Sequence, residues 1–72
     1  MDKTIYTQAY RDLVGKLAKA RKASKLSQKQ AGKKFGKSQS YISKIEAGQL
    51  RIDVIQLKEL AAIYKKKLQD FI

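Results

Sequence analysis

The sequence predicts an all-α protein that folds as a single domain over residues 1–72. Proline is absent and glycine occurs only four times, so few positions break a helix. Apolar residues return at intervals of three and four, which is the spacing of a helix that buries one face. β-branched and aromatic residues are too sparse for an alternating strand pattern. Because so short a chain has just enough residues for one core, we expect every helix to use its apolar face.

The first predicted helix covers about residues 7–23. Its apolar stripe consists of Tyr10, Leu13, Val14, Leu17 and Ala18, and Arg21 falls on the same stripe. The second helix begins at Ser27, because Ser27 and Gln30 have the spacing of a capping box. It ends after about two turns at Gly36, since glycine adopts the left-handed backbone of a helix end without Cβ strain.

The third predicted helix is capped by Ser38. It directs Ile42 and Ile45 inward and ends at Gly48. The fourth helix begins at Asp53 with a second capping box.

The apolar stripe of the fourth helix consists of Leu57, Leu60, Ala61 and Tyr64. The basic residues 65–67 interrupt this stripe and suit the negative end of a helix dipole, so they predict its C-terminal cap. The last apolar segment, Leu68 with Phe71 and Ile72, is too short to form a stable helix unless it packs against something.

The composition excludes several classes of protein. The chain has no Cys and no His, which rules out a disulfide framework, a thiolate nucleophile and the usual structural zinc sites. The few carboxylates are scattered, so we expect no enzyme, no cofactor and no small-molecule substrate. No apolar run is long enough to span a membrane, and residues 1–6 lack the apolar run of a signal peptide. With no Cys to oxidise, a cytoplasmic location is expected.

The charge of the chain points to a polyanionic partner. Seventeen Lys and Arg residues against six Asp and Glu residues give a net charge of +11, and such charges repel one another unless a polyanion screens them. Nucleic acid fits best. On charge alone, an anionic membrane surface, an acidic protein partner or a basic surface without a specific role stays possible.

Residues 28–45 form the most informative unit of the sequence. Gly32 lets the following helix approach closely and Gly36 makes the turn, while Phe35, Ile42 and Ile45 supply a wedge between the two helices. This combination predicts a helix-turn-helix. A peptide that acts on membranes needs neither the glycine turn nor two capping boxes, so the motif favours DNA over a membrane.

The run of residues 26–48, and above all Ser-Tyr-Ile-Ser-Lys-Ile-Glu-Ala-Gly at 40–48, resembles the Cro/phage-repressor (xenobiotic-response-element type) helix-turn-helix family. The resemblance covers about residues 13–71. It implies a compact four- to five-helix domain of the lambda-repressor-like DNA-binding fold. It also implies an ion pair between Arg21 and Glu46, which stand where the family places such a pair.

The sequence departs from the family pattern at two positions. Ala31 stands where a larger aliphatic residue is usual, which suggests a thinner contact with the first helix, filled by Tyr10 or Phe35. Lys37 stands where a small apolar residue is common, which suggests an added phosphate contact.

The helix around residues 38–46 is expected to lie in the major groove. Gln39 suits bidentate recognition of adenine, and Lys44 suits guanine or a phosphate. In similar proteins the residue at Gln28 contacts the DNA backbone and braces the first reading residue. The remaining predicted DNA contacts are Lys37, Ser38, Ser40, Ser43 and Arg51. Tyr41 either packs in the core or donates to a phosphate.

These features together predict a sequence-specific double-stranded DNA-binding protein, a prokaryotic or phage transcriptional regulator that binds an operator as a homodimer. An operator-binding antitoxin or a restriction-modification controller would carry the same motif. The predicted dimer interface is formed by Leu68, Phe71 and Ile72, unless these residues close the core of the domain instead.

Overall fold

The structure, a computed structural model, describes residues 7–72, and its regular elements are all helical. The four α-helices are α1 (Gln8–Ala23), α2 (Gln28–Phe35), α3 (Gln39–Glu46) and α4 (Val54–Ile63), and a 3-10 turn, Leu68–Asp70, follows them. The predicted all-α class is confirmed, and no strand occurs within the described residues. The segment considered for a signal peptide, residues 1–6, lies outside them. No helix between residues 7 and 72 combines the length and hydrophobicity needed to cross a bilayer.

Each α-helix begins at a polar side chain that accepts a hydrogen bond from the backbone N–H three residues further on. The four capping residues are Thr7, Ser27, Ser38 and Asp53. Both predicted capping boxes are complete, because the side chain of Gln30 accepts from the Ser27 N–H at 2.8 Å and that of Gln56 accepts from the Asp53 N–H at 3.1 Å. Three-residue spacings of this kind therefore set where the helices start.

All four helices end in the same backbone arrangement, the Schellman motif. In α2, for example, the Lys37 N–H donates to the Gly32 carbonyl at 2.8 Å. The residue with the left-handed backbone is Gly36 after α2 and Gly48 after α3. After α1 it is Lys25, and after α4 it is Lys65.

The lysine triplet 65–67 acts differently from the prediction. It follows α4, but no basic residue lies in the last helical turn. Lys65 contributes its backbone, with φ of 57°, while the Lys66 N–H donates to the Ala61 carbonyl at 2.8 Å. The end of α4 thus depends on backbone hydrogen bonds.

The apolar faces of the helices meet in one core. Its buried members are Tyr10, Val14, Leu17, Ala20, Ala31, Phe35, Ile42, Ile45, Ile52, Leu57, Leu60, Ala61, Tyr64 and Phe71. Ala31 is fully buried, so the smaller residue leaves no exposed gap at that position. Phe71 is only 5% exposed and packs the 3-10 turn against the core, which is the contact that so short a segment needs.

Candidate nucleic-acid interface

The contact between α2 and α3 depends on Gly32. A Cβ atom at this position would lie 2.7 Å from the Ser38 carbonyl oxygen and 3.1 Å from the Gln39 nitrogen. These are backbone atoms, which cannot rotate away as a side chain can. The beginning of α3 therefore packs directly against α2, and this close approach sets the direction in which α3 leaves the turn.

One side of α3 is buried and the other is polar and exposed. Ile42 and Ile45 are 1% and 2% exposed. The predicted base-reading residues Gln39, Ser40, Ser43 and Lys44 are all exposed. On a helix of eight residues this arrangement presents a continuous polar face, which is the shape that enters a DNA groove.

Arg21 and Glu46 form a two-point ion pair between α1 and α3. Arg21 Nε donates to Glu46 Oε2 at 2.6 Å and Nη2 donates to Oε1 at 3.0 Å. The two side chains are 9% and 10% exposed, and the hydrogen bond to Glu46 is the main cause that raises the pKa of Arg21. The remaining nitrogen, Nη1, donates to the Leu26 carbonyl at 2.8 Å. Arg21 is thus a structural cation whose donors point into the protein.

Glu46 also holds Gln28, the first residue of α2. Gln28 Nε2 donates to Glu46 Oε1 at 3.1 Å, a contact that sequence reasoning missed. The two residues are 18 positions apart, so no local pattern announces their contact. Through this network α1 and the beginning of α2 are fixed to the end of α3, and Gln28 stays half-buried beside the reading face.

The loop after α3 is anchored by Tyr10 of α1. The Tyr10 hydroxyl donates to the Leu50 carbonyl at 2.8 Å and accepts from the Ile52 N–H at 3.1 Å. Burial raises the pKa of Tyr10, which favours the protonated hydroxyl that donates this bond. The two bonds bracket Arg51, whose side chain is exposed. The backbone that carries this predicted phosphate contact is therefore fixed by a side chain about forty residues earlier in the sequence.

Tyr41 links α3 to both of its neighbours. Its ring lies 6.0 Å from the Phe35 ring of α2, and its hydroxyl accepts from Gln56 Nε2 of α4 at 3.0 Å. Of the two roles left open by the sequence, packing is the one observed. The Lys37 ammonium lies 5.3 Å from the centre of the Tyr41 ring, in the range of a cation–π contact, so Lys37 has a partner within the protein.

The predicted dimer residues have three different environments. Phe71 is a core residue and Leu68 is half-buried against the core, which matches the alternative that this segment closes the domain. Ile72 is 81% exposed. The other large apolar side chains exposed among the described residues are Val54 and Ile55, at 57% and 58%. The apolar stripe predicted for α4 does not include Val54 and Ile55, because both precede Leu57, the first residue of that stripe.

A helix-turn-helix family model matches residues 17–71, from the middle of α1 through the 3-10 turn. No curated protein and no solved structure matches the chain. The match includes Gly32, the ion pair of Arg21 with Glu46, and the exposed face of α3.

Proposed function

Because the chain belongs to the helix-turn-helix family of the Cro/phage-repressor type, we propose that it is a prokaryotic or phage transcriptional regulator that binds operator DNA in the cytoplasm as a homodimer. The family is one of DNA-binding regulators and not of enzymes. The observation that carries the proposal is the polar face of α3, which the Gly32 contact and the Arg21–Glu46 ion pair hold in one orientation. A fixed reading face lowers the entropy lost on binding and favours one register on the groove.

Base recognition is assigned to the exposed face of α3. Gln39 lies in its first turn, and a glutamine amide can donate to N7 and accept from N6 of adenine at the same time. Lys44 reaches guanine O6 and N7 or a nearby phosphate. Ser40 and Ser43 make adaptable contacts, because a hydroxyl both donates and accepts.

Phosphate contacts are assigned to the residues that border this face. Gln28 occupies the first turn of α2, where N–H groups and the helix dipole favour an anion. Lys37 and Ser38 precede α3, and Arg51 follows it. If one protomer neutralises about 4–6 phosphates, log Kd should change with log salt concentration with a slope of magnitude about 4–5. A flat salt response would contradict this assignment.

The assignment of roles is tested by two variants on DNA sites selected from random duplexes. Gln39→Ala should cost about 1–3 kcal/mol on the selected site and relax the preference at one base pair. Arg51→Ala should weaken selected and random duplexes alike, because a phosphate contact carries no sequence information. Equal losses on both kinds of duplex for Gln39→Ala would show that the reading residue lies elsewhere.

Dimerisation is proposed because one recognition helix reads only a few base pairs, and two half-sites about one helical turn apart supply the missing specificity. Val54, Ile55 and Ile72, the large apolar side chains exposed among the described residues, are the candidates for the interface. Replacing each by Ser, one at a time, should weaken self-association in sedimentation and leave the melting temperature almost unchanged. Phe71→Ala is the contrasting variant, since loss of a core side chain should lower the melting temperature. A monomer at high protein concentration, with and without palindromic DNA, would contradict the dimer.

A further inference from the structure

A second basic surface lies away from α3. Two neighbouring clefts share Ala23 and Lys66: the first is lined by the ends of α1 and α4 together with part of α2, and the second by α1 and the residues that follow α4. The lysines that line them are Lys16, Lys19, Lys25, Lys34, Lys65 and Lys66. We call these six residues the lysine cleft. No residue of α3, and none of the loop that carries Arg51, lines either cleft.

A hydrogen bond joins the two helix ends that border the lysine cleft. Ser24, at the end of α1, donates its hydroxyl to the Tyr64 carbonyl at the end of α4 at 2.8 Å. Lys25 and Lys65 follow directly, both with the left-handed backbone. The ends of the two helices are thereby joined, and the backbone that carries Lys25 and Lys65 is held together.

Positive charge predominates on this surface among the described residues. Like the other lysines between residues 7 and 72, none of the six has a carboxylate within 4.0 Å of its ammonium group. Among the described residues, Asp70 is the one carboxylate that lines the clefts, and its Oδ2 accepts from the Lys67 backbone N–H at 2.8 Å. Six ammonium groups against one carboxylate on this surface raise the local potential and attract a polyanion.

The residue types favour phosphates over an acidic protein. Lysine is depleted at protein interfaces, where Trp, Tyr and Arg supply most of the binding energy. Lysine does contact the nucleic-acid backbone, as a mobile point charge that needs no fixed geometry. A protein held on DNA by α3 is also surrounded by a high concentration of other DNA phosphates.

We propose that the lysine cleft binds the backbone phosphates of a second DNA segment, so that one protein molecule bridges two duplexes. The inference rests on the proposed function, because α3 holds the first duplex. Contact through lysines alone would be independent of sequence and strongly weakened by salt. The bridge would therefore join an operator to any nearby DNA.

The test is a capture experiment with two duplexes. Wild-type protein is bound to an immobilised duplex that contains the selected site, and retention of a fluorescent random duplex is measured. The test variant carries Lys19→Gln, Lys34→Gln and Lys66→Gln, one from each element of the cleft. The matched control carries Lys22→Gln, Lys58→Gln and Lys67→Gln, which removes the same charge outside the clefts. A third variant, with Arg at the three test positions, keeps the charge.

The test variant should retain about ten-fold less random duplex than the control, because each lost phosphate contact removes counterion release. The test variant and the control variant should bind a single operator duplex equally and should have equal melting temperatures. The Arg variant should retain the random duplex as the wild-type protein does.

Equal retention of the random duplex by the test and control variants would overturn the proposal, since two copies of α3 in a dimer would explain it. Displacement of the random duplex by polyglutamate, but not by competitor DNA, would overturn it in favour of an acidic protein. Failure of wild-type protein to bind even one duplex would overturn both the proposed function and the bridge.

Discussion

The α3 side of the molecule and the lysine cleft are both polar, but they are built differently. On the α3 side the supporting polar groups have partners within the protein: Gln28 donates to Glu46, and Gln56 donates to Tyr41. In the lysine cleft the ammonium groups have no carboxylate partner within 4.0 Å among the described residues. Fixed geometry can distinguish one base pair from another, whereas unpaired charge attracts any phosphate. The comparison therefore separates a surface suited to recognition from one suited to attraction.

The residues at which the helices end also differ between the α3 side and the lysine cleft. Next to the reading face, α2 and α3 end on Gly36 and Gly48, which adopt positive φ without strain. At the lysine cleft, α1 and α4 end on Lys25 and Lys65, with φ of 59° and 57°, and a Cβ atom makes this conformation unfavourable. The cleft thus keeps two charges at positions where glycine would be more stable.

Breaking the Arg21–Glu46 ion pair should have the largest effect on the α3 side. Arg21→Ala or Glu46→Ala should each lower the free energy of unfolding by about 3 kcal/mol, because the remaining charge is left buried without a partner. The double variant should lose less than either single variant, as seen in urea unfolding curves. Additive losses would mean that the two side chains do not interact in solution.

Placing a Cβ atom between α2 and α3 should cause the next largest loss of stability. Gly32→Ala should cost about 2–3 kcal/mol, since its Cβ would meet backbone atoms of Ser38, and DNA binding should weaken as α3 is displaced. Gly15→Ala is the matched control, because nothing lies within 4 Å of a Cβ there. It should stabilise α1 by about 0.5–1 kcal/mol. Similar melting temperatures for the two variants would contradict the close packing.

Tyr64 lines the first cleft and is also influenced by the charge of Glu46 at the end of α3. Its titration therefore provides a test of stability against pH. Burial, followed by the charge of Glu46, raises the pKa of Tyr64 to about 12, whereas the unfolded chain has a tyrosine pKa of about 10. The folded state holds the proton more tightly, so this contribution is complete below pH 10 and is lost as the pH rises toward 12. By pH 11 wild-type protein should have lost about 1–2 kcal/mol that Tyr64→Phe does not lose. Equal pH dependence of the two unfolding free energies would contradict the shift.

Substituting the residues at the helix ends should change the free energy of unfolding least, and the changes at Lys65 and Gly36 should have opposite signs. Lys65→Gly should stabilise the protein by about 0.5–1 kcal/mol, and Gly36→Ala should destabilise it by about 1 kcal/mol. Lys65→Ala is the control, because it removes the charge but keeps the Cβ atom. Thermal melts at one salt concentration measure all three. If Lys65→Ala stabilises as much as Lys65→Gly, charge repulsion and not backbone strain sets the cost.

Features that depend on neighbouring residues could be predicted from the sequence. Ser27, Ser38 and Asp53 start their helices because a side chain reaches an N–H only three residues away, and Gly36 ends α2 for a similarly local reason. The apolar spacing likewise indicated which faces of the helices are buried. These signals established the four helices and the turn between α2 and α3.

Contacts between distant residues could not be predicted in this way. The bond of Tyr10 to Leu50 and that of Ser24 to Tyr64 each join residues 40 positions apart, and no pattern in either segment indicates its partner. The pairing of Arg21 with Glu46 came from the family resemblance and not from spacing. The position of Phe71 stayed open for a related reason, since a short apolar segment does not show whether it covers its own core or that of a partner.

The Tyr10 hydroxyl also determines how far the protein could be shortened. A synthetic peptide that covers only α2, α3 and the following loop would contain the complete predicted reading face. It would lack the hydroxyl that bonds to Leu50 and Ile52, and it would leave Glu46 without the guanidinium of Arg21. Attempts to reduce the protein to a minimal DNA-reading fragment should therefore retain α1, whose contribution is the support of other elements.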